Sequence, residues 1–197
     1  MDSSTIVIII LVVLVLYGIN IYNQLVNFKN RVLNGFSQID VQLKRRYDLI
    51  PNLVNVAKEY MDHEKETLTA VIDARNEAST MLSKLGENMD MNGIQNLAMA
   101  ENSLQSALGK MNFVMEAYPD LKANQNMMQL SEELTSTENK VSFARQAYND
   151  GVMEYNTYKQ SFPQIVVASN FGHKEDGAFL EFDDKEEISK APDVNFK

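Results

Sequence analysis

The chain contains no cysteine, and that absence removes disulfides, thiol nucleophiles and thiolate metal sites from consideration. Histidine is almost missing as well. His63 and His173 are the only two, and neither belongs to an HExxH pattern, so a zinc hydrolase site would have few nitrogen ligands. Positive charge is absent from one end: none of the 18 Lys and Arg precedes Lys29. The overall balance is acidic, at a formal net charge of -9, which argues against nucleic acid because phosphates need a positive face. The small basic group Lys44-Arg45-Arg46 does not reverse that, and it suits a solvated or lipid-headgroup-facing helix end.

The most conspicuous thing present is the apolar run Thr5 to Tyr22, TIVIIILVVLVLYGINIY. A bilayer core needs roughly 20 mostly apolar helical residues to cross it. The run reaches that length if Asn23 to Val26 are its interfacial end. A cleavable signal would carry Lys or Arg ahead of the run and a small-x-small site behind it. Met1-Asp2-Ser3-Ser4 has no positive charge, and Tyr17, Tyr22 and Asn23 stand where cleavage would fall. The segment therefore reads as a retained single-span anchor, since Ile6 to Leu16 lack the polar face expected of a core helix. Lys29, Arg31, Lys44, Arg45 and Arg46 follow it closely, and positive flanks stay cytoplasmic. The expected topology has the N-terminus outside and the rest of the chain in the cytoplasm.

After the anchor, apolar residues recur at spacings of three and four. Leu25, Phe28, Val32, Phe36, Ile39 and Leu43 form one stripe, and Leu53 to Leu85 continue it with a polar interruption around His63-Glu64. Ile94, Leu97, Ala100, Leu104, Ala107, Met111, Val114 and Tyr118 form another. Met127, Leu130, Leu134, Thr137, Val141, Ala144 and Tyr148 alternate three and four without a slip. Each stripe buries one side of a helix against neighbours. The expected fold is all-α: an anchor (1–26) continuing into an elongated up-down four-helix bundle (27–162), then an irregular tail (163–197). Pro51 disfavours helical geometry at Ile50, so the spacing predicts a helix end near Tyr47, with Asp48 as the next N-cap. Gly86 to Gly93 reads as a loop, Tyr118-Pro119-Asp120 as a helix stop, and Leu121 to Ser161 as one long helix ending before Phe162-Pro163.

Beyond Pro163, Ile165-Val166-Val167 and Phe171 form an apolar patch, followed by an acidic stretch with scattered aromatics. Its composition suits disorder, and its aromatics suit docking on the bundle or on a neighbouring subunit. Candidate chemistry is thin. His63-Glu64-Lys65-Glu66 is the one place where a histidine sits among carboxylates, and it reads more readily as a solvated helix face than as a metal or acid-base site. No cofactor is implied.

Several longer motifs resemble the LemA family. They are Gln38 to Val54 (QIDVQLKRRYDLIPNLV), Tyr60 to Glu66 (YMDHEKE), Glu116 to Ala123 (EAYPDLKA), Thr137 to Arg145 (TENKVSFAR) and Tyr148-Asn149-Asp150. The resemblance extends from the anchor to Phe162-Pro163. It implies a bacterial inner-membrane protein with a cytoplasmic four-helix bundle, no established enzymatic activity, and a membrane zinc protease of the HtpX type as a candidate partner. It supplies no catalytic residues. The motif positions of structural or interaction interest are Arg45, Arg46, Asp48, Pro51, His63, Glu64, Tyr118, Pro119, Glu138, Arg145, Tyr148, Asn149, Phe162 and Pro163. Charges beside apolar stripes are costly unless paired, so pairs among them would fix which helix faces which. Three readings follow: a self-assembling membrane-anchored scaffold, an adaptor for that protease, and, least favoured, a metal- or carboxylate-dependent hydrolase using the His63 region.

Overall fold

A computed structural model describes residues 2–85 and 90–181, and all regular secondary structure among them is helical. The elements are α1 (Ser3–Lys58), α2 (Lys65–Leu85), α3 (Met91–Met115), α4 (Pro119–Lys122), α5 (Gln125–Gln160) and α6 (Gln164–Asn170). The apolar run is the first third of α1, which leaves it without a break.

That continuity corrects the expected boundary at Tyr47: Pro51 lies inside α1, and Asp48 caps nothing. Proline removes one i to i-4 hydrogen bond, here the bond from residue 51 to the Tyr47 carbonyl. Arg75 of α2 supplies the missing donor, its Nε lying 3.0 Å from that carbonyl oxygen. The chain turns instead at Glu59 to Glu64, where the stripe is interrupted by polar residues.

Two other expected boundaries also move. Asp90 caps α3 by accepting a hydrogen bond from the Gly93 amide at 2.8 Å, which places Gly93 in the first helical turn rather than in a loop. The remainder of that expected loop, 86–89, lies outside the described residues. The long final helix begins later than the sequence predicts. Pro119 opens the short α4, and Asn124 then caps α5 by accepting from the Met127 amide at 3.1 Å. The same Asn124 donates to the Tyr60 hydroxyl at 3.0 Å, which ties the start of α5 to the turn after α1.

The chain forms two compact units, and α1 and α5 each contribute to both. One comprises residues 1–39 with Ser142–Phe179, and the other includes Asp40–Val141. In the first, α1 and α5 run antiparallel: Phe28 meets Tyr158, Arg31 meets Glu154, and Phe36 meets Tyr148. Gly35 permits their close approach, because a Cβ there would stand 3.2 Å from the Tyr148 Cα. Leu25, Val32, Ile39, Val152 and Tyr155 are buried with them.

In the second unit α2 and α3 pack together. Leu43, Ile50 and Leu53 of α1, Leu68, Val71 and Leu82 of α2, Ile94, Leu104 and Met111 of α3, and Met127, Leu134 and Val141 of α5 are among its buried residues. Thr137, the polar member of the α5 stripe, is buried with its hydroxyl returned to the Glu133 carbonyl at 2.8 Å.

Candidate functional site

Three features stand apart from ordinary core packing: an uncovered apolar helix, a buried charge cluster and a docked C-terminal strap.

All eleven residues from Ile6 to Leu16 are between 45% and 61% exposed. A core helix of a soluble protein would bury such a stretch, at roughly 1.5–3 kcal/mol per large aliphatic side chain. Among the described residues nothing covers it. α1 is the one helix among the described residues long and apolar enough to cross a membrane, and its exposure suggests membrane association.

The charge cluster lies in the second unit. Arg46 of α1 and Glu101 of α3 are paired at 2.9 Å with side chains only 5% and 1% exposed. The second terminal nitrogen of Arg46 donates to Gln105 Oε1 at 2.7 Å and to Glu138 Oε1 of α5 at 3.2 Å. One guanidinium thus joins α1, α3 and α5 through a planar fork that a lysine could not reproduce. The other Glu101 oxygen accepts from the Tyr47 hydroxyl. Burial pushes the Glu101 carboxyl above its ordinary value, against the lowering effect of Arg46 and Tyr47. Burial, followed by the neighbouring Glu101 charge, holds the Tyr47 phenol protonated well above its usual range. At the edge of the cluster, Arg75 stacks over the Tyr47 ring at 6.0 Å and lies 3.9 Å from Asp48. The carboxylates here are committed to a guanidinium and a phenol, an arrangement suited to fixing helix partners.

The strap belongs to the first unit. After α6 the chain turns at Gly172, whose φ of +84° a side chain would strain, and then runs along α5. Asn156 grips the backbone of Gly177 on both sides, donating to its carbonyl at 3.0 Å and accepting from its amide at 2.8 Å. Tyr148 donates to the Ala178 carbonyl at 2.8 Å, and Lys159 donates to the Lys174 carbonyl at 3.1 Å while also pairing with Asp176. That bond to Lys159 is the main reason the Asp176 carboxyl sits below its ordinary value. His173 is buried between Tyr22 and Tyr155, at ring-centroid distances of 5.8 Å and 6.0 Å. Burial, with Lys29 and Lys159 nearby, lowers its pKa and favours the neutral imidazole. Burial also pushes the Tyr148 phenol up to about 12. For residues 173–178 the choice left open by composition is therefore resolved as docking on the chain's own helices. Phe182, Ile188, Val194 and Phe196 lie outside the described residues.

Of the positions singled out in the sequence, Arg46 and Glu138 meet in the charge cluster, and Tyr148 holds the strap. Pro51 is half-buried within α1, Tyr118 precedes α4, and Pro119 is its first residue. Glu64 is half-buried at the entrance to α2, its carbonyl accepting the Leu68 amide at 3.1 Å. Arg45 and Asp48 are exposed, and Arg145, Asn149 and Pro163 are half-buried. Phe162 is 84% exposed. His63 is exposed in the turn after α1, and no group of three or more His, Asp or Glu poised to hold a metal occurs among the described residues.

Sequence reasoning passed over Glu101 and Arg75. Glu101 was the more accessible of the two. It falls four residues after Leu97 and three before Leu104, on the stripe itself, where a carboxylate calls for a buried cation.

Comparison with known proteins agrees with the motif resemblance. A protein described as "Protein LemA" from Metamycoplasma hominis is 28% identical over 102 residues, covering 52% of this chain and 42% of that one. The chain thus matches less than half the length of this relative. The model of the LemA family matches residues 35–196, which takes in the charge cluster, the strap and every motif quoted above, and the chain belongs to that family.

Proposed function

We propose that this protein is a non-enzymatic, membrane-anchored scaffold that self-assembles at the bacterial inner membrane. In this reading it presents a cytoplasmic four-helix bundle as its working surface. The carrying observation is α1 itself: an uncovered apolar span that continues as one helix into the buried core of the folded part. A continuous helix transmits position far better than a flexible linker does. The one-sided distribution of Lys and Arg supports an outside N-terminus and an inside bundle.

Self-assembly is supported by apolar surface left over once the stripes are buried. Met99 and Phe113 are exposed two heptads apart on α3, with open space over Gly109 between them. These side chains offer apolar surface for a contact between subunits. Anchors confined to one bilayer also meet at high effective concentration, so a weak contact suffices.

Light scattering on detergent-solubilised full-length protein tests the proposal. A multimer is expected, falling to a smaller species in Phe113→Asp with helical content unchanged by circular dichroism. A monomeric wild-type chain would overturn it. The adaptor alternative, in which the surface receives a membrane protease of the HtpX type, predicts instead a monomer that co-purifies with the protease at fixed stoichiometry.

A further inference from the structure

From Gln160 to Gly172 the chain carries no Lys, Arg, Asp or Glu, the longest such stretch after the N-terminal run. The segment includes α6, and little of it is buried: Phe162, Ile165, Val166 and Phe171 are all exposed, and Ala168 alone is fully covered. In water such a surface is a liability. Its position on α1 suggests what else could cover it.

Twenty residues of helix starting at Thr5 end at Gln24, so Tyr22 falls in the last turn of the span, at the depth where tyrosines line the bilayer interface. The Phe171 ring lies 6.2 Å from the Tyr22 ring. Phe171 therefore sits within a ring's breadth of the membrane boundary, and the exposed face of α6 immediately precedes it. A second observation concerns the polar side chains of that face. Ser169 donates to the Ile165 carbonyl and Asn170 to the Val166 carbonyl, both at 2.7 Å. Ser161 likewise returns its hydroxyl to the Thr157 carbonyl at 2.8 Å. Side chains that satisfy themselves on their own helix do not depend on water, and this is how polar residues are tolerated near hydrocarbon. Lys29, close enough to act on His173, and Lys174 are both exposed at the end of this region, a placement that suits phosphate headgroups.

We infer that Phe162 to Phe171 is a second membrane contact: α6 lies in the headgroup and upper acyl layer beside the anchor, with Ile165 and Val166 facing the lipid. The occupant is lipid rather than a second copy of the chain, because the patch is continuous with the span through Tyr22. Interfacial helices of this type bury their apolar face about 5–10 Å into the boundary region. The contact would fix the rotation and tilt of α1, which a single span leaves free.

The inference rests on the anchor reading, and the experiment separates the two. The chain has no tryptophan, so one introduced residue is a clean reporter. Full-length Val166→Trp, with Ile165→Trp as a second reporter, is reconstituted into phosphatidylcholine–phosphatidylglycerol vesicles with and without brominated acyl chains. Leu14→Trp reports the span, and Phe143→Trp, on an exposed site of α5, reports water. Val166→Trp is expected to emit blue-shifted light and to lose roughly half its intensity to brominated lipid, as a residue at acyl-boundary depth would. Leu14→Trp is expected to lose more, and Phe143→Trp to change little. If Leu14→Trp is quenched and both α6 reporters emit as in water, the inference is wrong and the anchor stands. Blue-shifted but unquenched α6 reporters mean that protein rather than lipid covers the face, which also overturns it. An unquenched Leu14→Trp removes the anchor reading and this inference with it.

Discussion

Glu101 occupies the inward stripe of α3, where water cannot solvate its carboxylate, and Arg46 is the cation that makes the position tolerable. Glu138 adds a second acid on the same guanidinium, so the cluster holds more negative than positive charge. Removing one partner of a buried pair costs more than the pair ever contributed, because the other charge is stranded. Arg46→Met is therefore expected to destabilise the fold by about 3–5 kcal/mol near neutral pH. The pH dependence has a definite sign. Burial already raises the Glu101 carboxyl, and losing the lowering influence of Arg46 raises it further. A raised carboxyl contributes stability that is complete below its unfolded value and is lost as pH rises through the folded value. The deficit of the variant, measured by urea unfolding in detergent, should thus be smallest near pH 4 and grow toward pH 8. A deficit independent of pH would mean that Glu101 is not the stranded group.

At the scale of elements, the stripes were legible because a spacing of three and four states directly which side of a helix is buried, and Leu134, Thr137, Val141 and Tyr148 all lie inward. The boundary at Pro51 was not legible. A proline reads locally as a helix stop, and the donor that compensates it, Arg75, is 28 residues from the carbonyl it serves. The strap was hidden for a related reason: Tyr148 and Asn156 bind the backbone of Ala178 and Gly177, which leaves no complementary side chain in the sequence to find. The site was legible only in part. Arg46 and Glu138 stood out as charges beside stripes, whereas Glu101 was masked by its apolar neighbours. The Pro51 account can be tested by a double-mutant cycle. Arg75→Ala should cost about 1–3 kcal/mol, the cost of a buried carbonyl left without a donor. In a Pro51→Ala background residue 51 regains an amide for the Tyr47 carbonyl, so the same Arg75→Ala change should cost clearly less. Equal costs in the two backgrounds would show that Arg75 acts through Asp48 or the Tyr47 ring instead.

For the whole molecule, the proposed topology rests on the distribution of charge along the chain. Asp2 is the sole charged side chain before the apolar run, and the first basic residues after it are Lys29 and Arg31. Lys and Arg close to a span hold their flank on the cytoplasmic side, whereas acidic residues contribute little. The overall acidity of the chain therefore does not oppose the assignment, even at a net charge of -9. Arg31 is paired with Glu154 at 3.3 Å in the folded protein, but both groups are exposed, and such a pair is worth too little to cancel the bias during insertion. Because the chain has no cysteine, one introduced thiol reports topology without background. Lys110→Cys places it at an exposed position of α3, at a residue with no part in the charge cluster. In intact cells this thiol should resist a membrane-impermeant maleimide and then label fully once the membrane is opened. A serine-rich N-terminal end should behave oppositely, so Ser4→Cys is expected to label in cells whose outer barrier alone is permeabilised. Labelling of Lys110→Cys under that same condition would invert the topology and remove the cytoplasmic platform from the proposed function.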